Sequence, residues 1–379
     1  MRPPPRLRAG AFLALIALSS CGHRTVGPTA DIEGPPITAP WTVPNGSGQA
    51  LTPLRFADIP GWSNDHSAEA LPAFLASCGL LRRAPAPASG GSWRSVCDAG
   101  LEIPAGNDAA ARRYFETNFQ PFGVSADGTA DGLYTGYYEP EMAGDTRPSS
   151  RYRWPLYRRP DLGGRTALTR AQIDAGALRN KRLEMFWLAD PVDVFFLHIQ
   201  GSGRVRLPDG QVLRVSYDGQ NGHPYVPIGR VLVDRGEMPL SEVTMQTIRA
   251  WLEAHPDQAQ DVMNRNPSYV FFREVAELDP NRGPPGASGA ALTPMRSIAV
   301  DKTYVPLGAP VWLETLDPVD GGRIRRLMVA QDVGGAIRGA VRADIFFGWG
   351  ADAENRAGKM RRRGFEIILL PKADQTASR

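Results

Sequence analysis

The chain has 379 residues, 42% hydrophobic and 22% charged, with 40 glycines and 34 prolines. That length suits two or three domains, and the Gly and Pro content favours a β-rich, turn-rich fold over a helical bundle. The net charge of +3, without a Lys/Arg stripe interleaved with aromatics, gives no case for nucleic-acid binding. Five histidines without paired ligand spacing give no metal framework.

The first twenty residues read as a secretory signal. Arg2, Arg6 and Arg8 precede AFLALIAL at 11–18, an apolar run too short to span a bilayer. Leu18-Ser19-Ser20-Cys21 then resembles the processing site of a bacterial lipoprotein, with Cys21 as the acylated new N-terminus. Gly22, rather than Asp, points by the same resemblance to the outer membrane, with the protein facing the periplasm. Residues 21–50, rich in Pro, Gly, Thr and Ser, are expected to be a flexible tether. HSAEALPAFLASCGLLRR at 66–83 and NDAAARRYFETNF at 107–119 have helical spacing, the second with Asn107 as N-cap. Cys78 and Cys97 form an even pair for an oxidising compartment. A disulfide is favoured over two buried thiols.

From Gly132 the pattern becomes that of strands. GLYTGYYEPEM alternates and is aromatic, and RWPLYRRP is a short edge strand. LTRAQIDAGAL, with its Thr169–x–x–Gln172 box, predicts a short helix. DVFFLHIQGSGRVRLPDGQVLRVSYDGQNG at 193–222 predicts a hairpin about Asp209-Gly210. The run 239–256 predicts a helix capped by Ser241, and RGPPGASGAAL at 282–292 a flexible loop. Arg361-Arg362-Arg363 reads as a solvated turn. Short strands separated by glycines from about Arg296 suggest a small closed barrel.

Three aspartates stand out there: Asp301, Asp332 and Asp344. Asp is depleted in strands and rarely buried alone. In an apolar wall its pKa rises, and a neighbouring carboxylate raises one of the pair further, which is how an acid stays protonated near neutral pH. Asp344, flanked by Ala343 and Ile345, fits a catalytic acid better than a turn. Asp332, followed by Val-Gly-Gly, is open between catalysis and holding its turn, and Asp301, beside Lys302, reads as supporting.

GYYEPEM, FFLHIQGSGRV, YDGQNGHPYVPIGRVLVDRG, NPSYVFFRE and AQDVGGAIRGAVRADIFFG together resemble the membrane-bound lytic murein transglycosylase A family. The last of these, with SIAVDKTYVPLGAPVWL, resembles its three-aspartate domain, and the likeness spans residues 55 to 371. The resemblance implies a mainly β protein with a few helices. A double-psi β-barrel would come from residues 51–138 and 273–371, with a smaller β domain inserted at 139–272 and a groove between. It implies cleavage of the β-1,4 bond between N-acetylmuramic acid and N-acetylglucosamine with formation of a 1,6-anhydro ring. Asp344 falls at the family's acid, with Asp332 beside it and Asp301 as the third aspartate; the spacing from Asp332 to Asp344 carries one residue more than in the best-known members. Such a reaction needs one carboxyl group, because the sugar's own hydroxyl replaces water, and it implies no cofactor, since a proton donor and a positioned sugar suffice; a hydrolase would need two carboxyls.

Gln200 and Ser202, with backbone approach at glycine, are candidate sugar contacts, as are Tyr138 and Tyr225 beside Tyr137 and Trp349. Gly334 and Gly335 are candidates through their backbone dipoles. Glu139, in a matching motif, is either a groove residue or an exposed strand-end carboxylate. The anticipated partners are peptidoglycan glycan strands, the outer membrane through Cys21, and other cell-wall enzymes, with the protein a monomer. A two-carboxylate hydrolase using Asp344 and Asp332, and a non-catalytic peptidoglycan-binding lipoprotein, are the alternatives.

Overall fold

The computed structural model describes residues 37–160, 168–275 and 282–373. The signal segment and Cys21 lie outside them. β1 (Gln49–Pro53) is followed by α1 (Ser67–Leu81), α2 (Trp93–Gly100) and α3 (Asp108–Asn118). β2 (Phe119–Ala126) and β3 (Gly132–Glu139) come next. Asn107 caps α3 through the Ala110 amide. Cys78 in α1 and Cys97 in α2 form a disulfide with Cα atoms 5.7 Å apart.

The middle of the chain holds β4 (Glu141–Asp145), β5 (Trp154–Tyr157), the helical turn α4 (Arg170–Gln172) and β6 (Glu184–Leu188). α5 (Pro191–Gln200), β7 (Ser202–Arg206) and β8 (Val212–Gln220) follow. α6 (Ile228–Asp234), α7 (Met245–Ala254), α8 (Pro256–Asn264) and β9 (Val270–Val275) complete it. The last third is β10 (Ser297–Val300), β11 (Pro310–Leu316), β12 (Arg323–Asp332), β13 (Arg342–Trp349), α9 (Gly350–Lys359) and β14 (Arg361–Pro371).

One sheet runs β1-β2-β14-β11-β12-β10-β13-β3, and β3 also pairs with β14. Six strands thus close into a ring, which removes exposed edges, and β1 and β2 extend from it. β14 makes this possible by its length: its first four residues pair with β3 and its last five with β2. Tyr134, Trp312, Leu327, Phe365 and Ile367 of these strands belong to one apolar core, to which α1 to α3 also contribute. A second sheet, β5-β6-β4-β7-β8-β9, is built from the segment between β3 and β10 and has its own apolar clusters.

Several sequence expectations are corrected here. The tether does not reach residue 50: Ile37, Ala39 and Trp41 pack on the barrel core, Trp41 edge-on to Phe365. DVFFLHIQ is helix, not strand. Asp190 caps α5 through the Val192 amide, Pro191 opens it and Gly201, at φ 78°, ends it in the left-handed region. Only β7 and β8 flank the Asp209-Gly210 turn. Ser241 sits in a separate turn, and Thr244 caps α7 instead. Arg361, Arg362 and Arg363 are strand residues paired with β3. The 282–292 loop is fastened to β12 and to itself: Ser288 donates its amide to the Gln331 carbonyl, Gly283 to the Leu292 carbonyl and Leu292 to the Pro284 carbonyl.

Candidate active site

Strand register assembles the site. β10 lies between β12 and β13, and Ala299 pairs with Asp332 on one side and Asp344 on the other. Two strand spacings, about 10 Å, separate the two aspartate backbones, with the small Ala299 on the strand between them. On the far side of β13, Thr135 of β3 pairs with Asp344. Tyr137, two residues on, shares the Thr135 face because side chains alternate along a strand. Tyr137, Ala299, Phe346, Leu292 and Ile337 form an apolar cluster separate from the barrel core.

The two carboxyls are held differently. Asp332 has both oxygens occupied: Oδ1 accepts the Ala287 amide at 2.9 Å, and Oδ2 the Tyr137 hydroxyl at 3.1 Å. Asp344 Oδ1 accepts the Thr135 hydroxyl at 2.8 Å. Its Oδ2 has no hydrogen-bond partner among the described residues. Both aspartates are half-buried: solvent reaches them, yet protein surrounds them.

Burial pushes the Asp344 carboxyl above its usual range, against the opposing pull of Arg342 and the Thr135 hydroxyl. Burial likewise pushes Asp332 up to about 6, although the amides of Ala287 and Val333 and the Tyr137 hydroxyl favour its charged form; the Asp344 charge adds to the rise.

Asp301 has a supporting geometry. Its Oδ1 accepts the Thr303 amide and its Oδ2 the Gly339 amide, each at 3.1 Å. Burial would raise it, but the Gly339 and Thr303 bonds outweigh that and hold its carboxyl below the usual range. Gly339, at φ 112°, lies in the connection from Asp332 to Asp344, in a conformation that favours glycine. Asp301 therefore pins the segment that joins the other two aspartates.

The remaining candidates are scattered. Gln200 ends α5, and its Oε1 accepts the Tyr138 amide at 3.1 Å, so this carbonyl joins α5 to β3. Ser202 is buried at the start of β7. Tyr138 is also buried, with its hydroxyl toward Glu354, and has no free face for a sugar. Tyr225 is exposed, and no contact joins it to the aspartates among the described residues. Gly334 is half-buried and Gly335 exposed in the connection after Asp332. Trp349 is half-buried with the Arg204 guanidinium 4.6 Å from its ring centroid. Glu139 is fully buried, not an exposed strand end: Arg204 at 2.8 Å and Arg214 at 3.0 Å flank it. No group of three His, Cys, Asp or Glu side chains among the described residues is placed to hold a metal ion.

Sequence reasoning missed Thr135 and Arg342. Thr135 had a faint signal, since it shares strand parity with Tyr137 in GLYTGYYE.

Comparison with known proteins matches the sequence and the fold to a family. Residues 133–273 match the MltA specific insert domain, which covers β3 to β9, and residues 296–370 match the 3D domain, which contains all three aspartates. A membrane-bound lytic murein transglycosylase A from Escherichia coli is 36% identical over 265 residues, 66% of this chain and 71% of that protein. The chain belongs to the membrane-bound lytic murein transglycosylase A family. Members of known structure share its mainly β architecture. The crystal structure of MltA from Neisseria gonorrhoeae superposes with a TM-score of 0.76 at 34% identity, covering 90% of this chain and 99% of that one. E. coli MltA with bound chitohexaose gives a TM-score of 0.64 at 29% identity, covering 89% and 96%.

Proposed function

We propose that this protein is a peptidoglycan lytic transglycosylase. It cleaves the β-1,4 bond between N-acetylmuramic acid and N-acetylglucosamine and leaves a 1,6-anhydromuramic acid end. Asp344 acts alone, first as acid and then as base. The observation that carries this reading is the asymmetry of the carboxyls: Asp344 keeps one oxygen free, whereas both oxygens of Asp332 are taken.

The Asp344 carboxyl, raised by burial, holds a proton that it donates to the glycosidic oxygen as the bond to the anomeric carbon breaks. The resulting carboxylate takes the proton of the muramic acid's own hydroxyl on carbon six, whose oxygen closes the anhydro ring. The carboxyl ends protonated, and no water is consumed. Asp332, with its hydrogen-bond donors, contributes nearby negative charge that favours the oxocarbenium-like transition state. The closed six-stranded ring supports the double-psi barrel description, and the chitohexaose bound to the E. coli relative supports glycan strands as ligand.

Asp344→Asn should abolish release of soluble muropeptides from sacculi while leaving sacculus binding intact. Asp332→Asn should retain measurable turnover. Equal loss in both variants would favour the two-carboxylate hydrolase, and wild-type turnover by Asp344→Asn would remove this aspartate from the chemistry.

A further inference from the structure

A protonated carboxyl is useful as an acid only if its proton sits on the oxygen that faces the substrate. Asp344 has two oxygens in different surroundings, and the groups behind it decide between them. The guanidinium of Arg342 only donates hydrogen bonds. Its Nη2 donates to Thr135 Oγ1 at 2.8 Å. Its Nη1 donates to the carbonyls of Leu133 and Ala343, which fixes the side chain to the backbones of β3 and β13. With Arg342 donating into it, the Thr135 hydroxyl directs its own hydrogen to Asp344 Oδ1, 2.8 Å away. Were Oδ1 to carry the carboxyl proton and donate to Thr135 instead, the Thr135 hydrogen would have no acceptor among the described residues.

We propose that Arg342, acting through the Thr135 hydroxyl, is a positioning residue that holds Asp344 Oδ1 as an acceptor, so that the catalytic proton resides on Oδ2. This rests on the reading of Asp344 as the acid. One oxygen then serves both halves of the reaction. Oδ2–H gives its proton to the leaving oxygen, and the same Oδ2 takes the proton from the attacking hydroxyl. The carboxyl returns to its starting tautomer without rotating.

The charged and titratable groups around this chain of bonds are few. Asp332 on β12 and Tyr137 on β3 face Asp344. Tyr134 on β3 and Glu366 on β14 face Arg342 from the barrel interior. Tyr134 donates to Glu366 Oε2 at 3.3 Å.

The test compares Thr135→Val, Thr135→Ser and Arg342→Met in the full chain. The readouts are kcat and KM on sacculi, chitohexaose affinity by calorimetry, and the pH dependence of kcat. Thr135→Val and Arg342→Met should each lose about 10- to 100-fold in kcat, a part of what a placed general acid supplies. KM and chitohexaose affinity should stay within about two-fold, and Thr135→Ser should restore most of the loss.

Both damaged variants should also move the alkaline limb of the pH profile upward. Each loses an interaction that favours the charged form of Asp344, so the acid keeps its proton to higher pH. Unchanged kcat, a loss confined to KM, or failure of Thr135→Ser to rescue would overturn the proposal. If Arg342→Met does not fold, the Val and Ser pair decides. An active Asp344→Asn variant would instead sink the underlying assignment of the acid, whatever the Thr135 variants do.

Discussion

Two carboxyls that burial pushes up, half-buried Asp344 and fully buried Glu366, differ in what they can reach. Asp344 is reached by solvent and lies in register with Ala299. Glu366 is fully buried, with Tyr134 on one oxygen and no partner on the other among the described residues. Burial pushes Glu366 up to about 8, although the Tyr134 hydroxyl and Arg342 favour its charge. Its folded state therefore holds a proton more tightly than the unfolded chain, where the ordinary value is 4.5. The stability this confers is complete below about 4.5 and is lost as pH rises through about 8. Melting temperature should accordingly fall between pH 5 and 8 in the wild type and stay flatter in Glu366→Gln. Parallel curves would show that Glu366 titrates alike in both states.

At the same scale, the aspartates were legible because carboxyls amid Val, Ile and Phe are costly and so stand out. Thr135 and Arg342 were not legible as a unit. They meet through a parallel pairing between residues 207 positions apart, which no local pattern encodes.

Among elements, legibility followed caps and periodicity. α3 and the strands of the last third have patterns that tertiary packing reinforces. α5 failed because FFLHI has strong strand propensity, while Asp190, Pro191 and Gly201 supply the start and stop signals that prevail. The barrel itself was readable as short strands, but its closure was not. Closure depends on β14 pairing with β3 near its start and with β11 along its middle.

The α1–α2 layer illustrates stabilisation through the unfolded chain. The bridge from Cys78 to Cys97 spans a sequence separation of 19, and a loop of that size is worth about 3 kcal/mol. A Cys78→Ser, Cys97→Ser double variant should show a loss near that size in urea unfolding, with sacculus cleavage retained below its lowered melting temperature. Unchanged stability would mean that packing of α1 and α2 on the barrel alone holds this layer.

For the whole molecule, the second sheet and the barrel are joined by specific polar contacts. Glu139 meets Arg204 and Arg214, and Gln200 meets the Tyr138 amide. These contacts anchor β3, the strand that carries Thr135 and Tyr137 to the aspartates. No helix among the described residues is long and apolar enough to cross a membrane. Attachment is proposed to come from lipid on Cys21, since several acyl chains give stable anchoring. Cys21→Ala should move the protein from the membrane to the soluble fraction, and continued membrane association would require a different anchor.

The central claim is that this fold breaks a glycosidic bond with one carboxyl and no water. Mass spectrometry of muropeptides released from purified sacculi by the wild-type protein tests it most directly. The wild-type products should be lighter by one water than their hydrolysed counterparts, and Asp344→Asn should release none. Products with reducing ends would contradict it and make Asp332 the second catalytic carboxylate.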